Sequence, residues 1–304
     1  VAPTVGLDAA EIELLATELS EAPSAAVYGR MGTTTAEFGT LASWLVDVLN
    51  VVTGNLDRPG GAMFAKAAAG ATNTRGASGS GRGLRVGRHQ TRVRGLGETM
   101  GELPVACLAE EIDTPGPGQI RAMVTVAGNP VLSTPNAERL DSALAGLDAY
   151  VAVDIYLNET TRHADVILPP PSSLQKGHYD LALLQLAVRN VANYSPPVLP
   201  LDPDQPDEWE ILARLALIAQ GLGPDADPAV VDDLVVGTLV QAAVADAHSP
   251  VHGRDPADLL AALGPRRGPE RLLDLLLRTG PYGDGFGARH DEVAPGVPAL
   301  SLDV

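Results

Sequence analysis

Ala122 to Pro171 reads AMVTVAGNPVLSTPNAERLDSALAGLDAYVAVDIYLNETTRHADVILPPP. Met123 to Ala127 is a β-branched apolar run bounded by Gly128, as expected of a buried strand. Ala137 to Ala145 carries a helical pattern opened by Pro135-Asn136. Tyr150 to Val153 is a second apolar run that stops at Asp154. Thr160 to His163 reads as a turn or short helix. Asp165 to Pro169 is a third short strand, closed by three prolines. Strand, helix, strand, short crossover, strand is the order of a parallel βαβ unit. The fold class expected is α/β: a Rossmann-like parallel sheet with flanking helices, followed by a C-terminal helical segment.

Upstream, Asp8 to Ser20 predicts an amphipathic helix with Asp8 as its N-cap and Ile12, Leu15 and Leu19 on one face. Ala25 to Gly29 predicts a short strand and Arg30 to Thr35 a turn. Ala36 to Thr53 predicts a long apolar helix ended by Gly54. Leu56 to Gly61 is a turn. Residues 70–97 are rich in Gly and Ser and contain Arg75, Arg82, Arg85, Arg88, Arg92 and Arg94. Two readings stand there: a solvated loop without regular structure, or a loop whose arginines contact an anion. Downstream, helices are expected over 207–219, 230–247, 257–263 and 269–278. The expected organisation is the end of one α/β domain over 1–60, an α/β domain over 61–200, and a helical extension over 201–304.

Composition bounds the function. The 304 residues carry a net charge of −17, which repels nucleic acid and anionic membranes. Hydrophobic residues make up 45%, enough for a sizeable core. Cys107 is the single cysteine, so no intrachain disulfide and no all-cysteine iron–sulfur site can form from these residues. Cys107 itself reads as a small buried hydrophobe. No apolar run reaches the roughly 18 residues a membrane span needs, and no signal peptide is visible, so a cytoplasmic location is expected, with a periplasmic one as the alternative.

In a parallel sheet, ligands lie beyond the carboxyl ends of the strands. Gly128 lets a ligand approach the backbone, and Asn129 and Ser133 can hydrogen-bond a base or phosphate. Asp154 suits a ribose hydroxyl pair or guanine N–H groups, and Asp165 precedes the third strand. These polar strand ends are expected to converge on one edge. The residues alone leave a nucleotide site and simple turn capping equally open. No GxGxxG follows a strand, and Gly79 to Gly83 lacks one before it, so an ordinary NAD site is not indicated. His163 and His178 lack metal-ligand spacing, and Ser249-Pro250 breaks the helix that would align His248 with His252.

Four segments resemble the large catalytic subunit of molybdopterin oxidoreductases, the group of formate dehydrogenases, nitrate reductases and dimethyl sulfoxide reductase. They are Leu49 to Gly61 (LNVVTGNLDRPGG), Val126 to Pro130 (VAGNP), Val153 to Thr161 (VDIYLNETT) and Ala164 to Pro169 (ADVILP). The resemblance implies a bis-molybdopterin guanine dinucleotide carrying molybdenum or tungsten. It implies that Gly128, Asn129 and Ser133 line one guanosine and phosphate site, that Asp154 holds the guanosine, and that Asp165 meets the guanine or an adjacent hydroxyl. Met31, Gly32 and Thr35 would contact the pyrophosphate or pterin side of the other cofactor. A small-molecule redox substrate and an electron-transfer subunit are the implied partners, with formate dehydrogenase-like chemistry preferred to nitrate reductase-like. The family's metal-ligating segment and C-terminal barrel have no counterpart in this sequence. An iron–sulfur cluster would belong to a further N-terminal part. Phe64 to Ala67 and Gln175 to Asp180 depart from the family pattern. A catalytic subunit represented in part is expected; a non-catalytic binding or interaction module with the same fold is the alternative.

Overall fold

The computed structural model describes residues 1–69, 86–289 and 292–303. The expected Arg75, Arg82 and Arg85 and the Gly79 to Gly83 stretch lie outside them. Two compact units are present: Val1–Arg75 with Asp180–Ala192, and Gly76–Tyr179 with Asn193–Val304.

In the first unit, α1 (Ala2–Val5) is a single turn and α2 (Ala9–Glu21) is the predicted amphipathic helix. Asp8 caps α2, and the Glu11 carboxylate accepts from Asp8 N–H at 3.0 Å, completing a capping box. Such a box contributes about 1 kcal/mol. The strand expected over Ala25 to Gly29 forms no ladder among the described residues. Side-chain amides replace the missing neighbour. Val27 N–H donates to Asn50 Oδ1 at 2.9 Å, Asn50 Nδ2 returns a bond to Val27 C=O at 2.9 Å, and Ala25 N–H donates to Asn55 Oδ1 at 3.2 Å. The turn expected over Arg30 to Thr35 closes into a helical turn, α3 (Met31–Thr34). α4 (Gly39–Val52) is the long apolar helix, and Gly54 follows it with φ +70°. Beyond it, a Cβ on Gly61 would stand 2.1 Å from Asn55 carbonyl oxygen, so only glycine fits that return of the chain.

The second unit opens with β1 (Val86–Gln90) antiparallel to β2 (Gly97–Thr99). This corrects the reading of 70–97 as irregular for its second half. β1 is exposed throughout and shows no alternation; its partner, not its own pattern, makes it a strand. A 3₁₀ turn over Val105–Cys107 leads into α5 (Leu108–Asp113). Then come β3 (Ala122–Val126), α6 (Pro130–Ser133), α7 (Ala137–Leu144), β4 (Ala149–Val153), a 3₁₀ turn over Thr161–His163, and β5 (Val166–Leu168). The sheet is parallel in the order β3-β4-β5, with Val126 beside Val153 and Val153 beside Leu168. Ile112 of α5 and Leu140 and Leu144 of α7 form a buried cluster, and Met123 of β3 packs on it. Tyr150, paired with Met123, is buried on the same face.

β6 (His178–Tyr179) pairs with β7 (Tyr194–Ser195), antiparallel. The helices that follow are α8 (Glu208–Ala219), α9 (Ala229–Ala245), α10 (Pro256–Ala262) and α11 (Gly268–Thr279), each within two residues of its expected bounds. Asp207 caps α8 with a second capping box. Val236, Val240, Val251, Leu259, Leu263 and Leu275 close a core of their own within this region. Asp274, fully buried on α11, accepts from Arg278 Nε at 3.0 Å and from Leu302 N–H at 2.8 Å.

Candidate functional site

β3 and β4 end side by side, and their two exit loops build the site. Ala127 N–H still donates to Val153 C=O at 2.9 Å, and there the ladder stops. Ala127 (φ +53°) and Gly128 (φ +78°) are both left-handed. For alanine that conformation costs about 1–2 kcal/mol, a strain retained where the surroundings enforce it and often found at functional sites. A Cβ on Gly128 would meet nothing within 4 Å. The backbone is therefore open to a ligand there.

Asn129 follows and does not cap α6 through its side chain. Its amide reaches across to the other exit loop. Oδ1 accepts from Thr160 Oγ1 at 2.6 Å, and Nδ2 donates to Glu159 Oε2 at 2.7 Å. Thr160 is fully buried and also accepts Val131 N–H at 3.0 Å. The Asn129 amide, as the main cause, holds the Glu159 carboxyl below its usual value. Ser133 is exposed at the end of α6, and its N–H donates to Asn129 C=O at 3.0 Å.

Asp154 directly follows β4 and is 7% exposed. Its Oδ1 accepts Tyr156 N–H at 2.9 Å, an Asx turn, and Oδ2 has no hydrogen bond among the described residues. Below it on the covered face of the sheet, Tyr150 hydroxyl and Thr125 Oγ1 are 2.9 Å apart. Burial pushes the Tyr150 phenol up, the Thr125 hydroxyl opposes this, and the Asp154 charge adds to it. Asn158 Oδ1 accepts from both Thr160 N–H and Thr161 N–H at 2.9 Å, which fixes the loop that carries Glu159.

Gly128, Asn129 and Asp154 thus meet at one edge. Asp165 does not join them. It precedes β5 and lies at the amino edge, where Tyr150 N–H donates to its Oδ2 at 2.8 Å and its own N–H donates to Tyr150 C=O at 2.8 Å. From Tyr150 to Asp154 is four residues along the strand, about 13 Å. The expected convergence of three carboxyl-edge groups is corrected to two strand ends. In the first unit, Met31 and Gly32 lie in the single turn of α3 and Thr35 is its C-cap. Thr35 Oγ1 donates to Met31 C=O at 2.7 Å, and the Met31 side chain is exposed.

The described arginines of the 70–97 stretch are met by carboxylates of the same unit. Arg88 Nε donates to Glu98 Oε1 at 2.7 Å, Arg94 Nε lies 2.7 Å from Glu110 Oε1, and Arg92 Nε lies 3.6 Å from Glu111 Oε2. Burial raises the Glu98 carboxyl, but its bonds from Arg88 and Gly101 outweigh this and hold it low. His163 Nε2 and Arg162 Nη2 both lie 2.6 Å from Asp141 Oδ1. Among the described residues, no group of three or more His, Cys, Asp or Glu side chains could hold a metal ion. Cys107 is buried, and burial followed by the Glu110 hydrogen bond pushes its thiol up. In the departing segment, Gln175 Nε2 donates to Gln205 Oε1 at 3.1 Å and Lys176 Nζ donates to Glu208 Oε2 at 2.5 Å. Thr160 and Glu159 were not singled out from the sequence. The clustering of Asn158, Thr160 and Thr161 after a strand end was the available signal, since such residues bond local backbone.

Comparison with known proteins adds to this geometry. The assimilatory nitrate reductase catalytic subunit of Bacillus subtilis is 31% identical over 100 residues, 33% of this chain and 13% of that one. A provisionally named formate dehydrogenase of Staphylococcus haemolyticus is 27% identical over 232 residues, 73% of this chain and 23% of that one. The F420-dependent formate dehydrogenase 2 subunit alpha of Methanococcus maripaludis is 28% identical over 172 residues, 54% and 25%. The chain therefore spans a quarter or less of the length of these relatives. No helix among the described residues is long and apolar enough to cross a membrane. The pattern that defines the molybdopterin oxidoreductases matches residues 8–215, more than half of the chain, and the chain belongs to that family.

Proposed function

We propose that this chain holds the guanosine end of a bis-molybdopterin guanine dinucleotide at the carboxyl edge of β3 and β4, as part of the catalytic subunit of a molybdopterin-dependent oxidoreductase. The observation that carries this is the convergence of the buried Asp154 carboxylate, the Asn129 amide and the open, left-handed Gly128 backbone on one edge. The donor set fits the group. A carboxylate with one uncommitted oxygen suits guanine N–H donors or a ribose hydroxyl, the amide can donate to a ribose or phosphate oxygen, and the bare backbone admits both. Ser133 would meet the phosphate side. Met31, Gly32 and Thr35 would serve the pyrophosphate or pterin side of the second dinucleotide. Asp165 would act through the sheet by holding Tyr150, not by touching the nucleotide.

When bound, the molybdenum or tungsten centre supplies two-electron redox chemistry on a small substrate. The residues of this chain bind and orient. Cys107 is unsuited to ligate the metal, because a buried thiol with a raised pKa resists ionisation. Formate is the preferred substrate, an electron-transfer subunit the partner, and an iron–sulfur cluster would need ligands from another part of the polypeptide. By itself the chain would bind the dinucleotide weakly and turn nothing over.

The test is titration of guanosine 5′-diphosphate into the ¹⁵N-labelled chain. Shifts should centre on Gly128, Asn129 and Tyr156, and Asp154→Ala should weaken binding at least tenfold, the loss expected for a charge-assisted hydrogen bond. Shifts confined to other segments, or none at millimolar nucleotide, would overturn the reading.

A further inference from the structure

Thr160 is fully buried and its side chain touches both exit loops of the site, and together with Glu159 it gives the hydrogen bonds there one direction. Val131 N–H can only donate, and it donates to Thr160 Oγ1 at 3.0 Å. One lone pair of the hydroxyl is thereby taken. A threonine hydroxyl has a single proton, and the neighbour at 2.6 Å is Asn129 Oδ1, which can only accept. Glu159 Oε2, a carboxylate oxygen that can only accept, takes one Asn129 amide proton at 2.7 Å, which puts the NH₂ on that side and the amide oxygen toward Thr160. The Thr160 proton therefore goes to Asn129 Oδ1. Asn158 in turn holds Thr160 N–H at 2.9 Å, which fixes the backbone that carries the hydroxyl.

We infer that Thr160, acting with Glu159, is a positioning residue that locks Asn129 as a hydrogen-bond donor, so that the atom bound beside Gly128 is an acceptor: a ribose or phosphate oxygen. This rests on the nucleotide reading above and adds to it the orientation of the amide and the residue that sets it. Without the hydroxyl, Asn129 Oδ1 loses its donor and the amide is held by Glu159 alone. Its NH₂ is then less firmly aimed at an oxygen-rich ligand. The same hydroxyl also joins the loop after β3 to the loop after β4, so it sets the gap between Asn129 and Asp154.

The test has a ligand-free arm and a ligand arm, both on the whole chain. In deuterated, ¹⁵N-labelled protein, the side-chain amide of Asn129 is assigned by its loss in Asn129→Asp. In the wild type its protons should show a cross-relaxation contact to a slowly exchanging Thr160 hydroxyl proton. Thr160→Val should broaden or shift that amide pair and weaken guanosine 5′-diphosphate binding about tenfold, the loss of one well-placed hydrogen bond to a phosphate or ribose oxygen. Thr160→Ser should restore both. Leu140→Ala, a core change on α7, serves as the control: it should lower the melting temperature and leave the Asn129 signals where they are. A wild type that shows the amide signature yet binds no nucleotide would sink the functional reading and keep the positioning role. Thr160→Val with unchanged Asn129 signals would overturn the positioning role, as would their loss to the same degree in Leu140→Ala. The wild-type hydroxyl contact decides the matter even if Thr160→Val does not fold, and its absence counts against the proposal.

Discussion

Asn50→Ala removes the side chain that stands in for a neighbouring strand. Asn50 is buried on the apolar helix α4, and both ends of its amide engage Val27, accepting its N–H and donating to its C=O at 2.9 Å each. Alanine leaves those two backbone groups without partners. Val27 is only half-buried, so water recovers part of the loss, and each orphaned group costs about 1 kcal/mol, the low end of the usual range. Alanine returns about 0.5 kcal/mol of helix propensity. A net destabilisation of about 1.5–2 kcal/mol is expected, localised to the segment that leads into Met31, Gly32 and Thr35. Native-state hydrogen exchange reads it directly. The Val27 N–H should exchange roughly 10- to 30-fold faster, while the Val236 and Val240 amides of the second unit keep their rates. Unchanged exchange at Val27 in a folded variant would refute the role given to Asn50.

Ala127→Gly should raise stability by about 0.5–1 kcal/mol, because relief of left-handed strain exceeds the extra entropy of an unfolded glycine; a lower denaturation midpoint would contradict the strained φ of +53°. Asp274→Ala should cost about 3 kcal/mol, since it strips a fully buried carboxylate from Arg278 and from Leu302 N–H; a loss under 1 kcal/mol in urea titration would show that the charges there are solvated. The Asp141 carboxyl is held below the usual range by His163 and then Arg162. A depressed carboxylate contributes stability that is present above its unfolded pKa of about 4 and lost as pH falls through the folded value. Asp141→Asn should therefore flatten the acid limb of the stability curve below about pH 4, and an unaltered limb would rule out that contribution.

Local rules made much of the fold legible. Asp8 and Asp207, each with a glutamate three residues on, announced their helices because a capping box is contained within four residues. The apolar runs at 123–127, 150–153 and 165–169, with a helical pattern between the first two, announced the parallel order of the sheet; the expected burial of the first run is corrected, because Val124 and Val126 on β3 are exposed, as is Val166 on β5. The elements that were misread depend on partners distant in sequence. Val86–Gln90 is exposed along its whole length, and what holds it is Glu98, ten residues away, taking Arg88 N–H and Nε. Ala25 to Gly29 has the composition of a strand, but its hydrogen bonds come from Asn50, near the end of α4, and Asn55, just past it.

The same division runs through the candidate site. The sequence by itself determined the family, the sheet, and the presence of Gly128, Asn129 and Asp154 just past strand ends, because strand polarity follows from chain direction. It placed Asp165 beside them in error: an aspartate before a strand and one after it look alike in a string, but in a parallel sheet they lie at opposite edges. Only the tertiary structure decided that Thr160 crosses from one exit loop to the other, that Ala127 is left-handed, and which way the Asn129 amide points. Each of those depends on where Val131, Val153 and Glu159 come to rest, and a hydrogen bond acquires its direction only when both partners are in place.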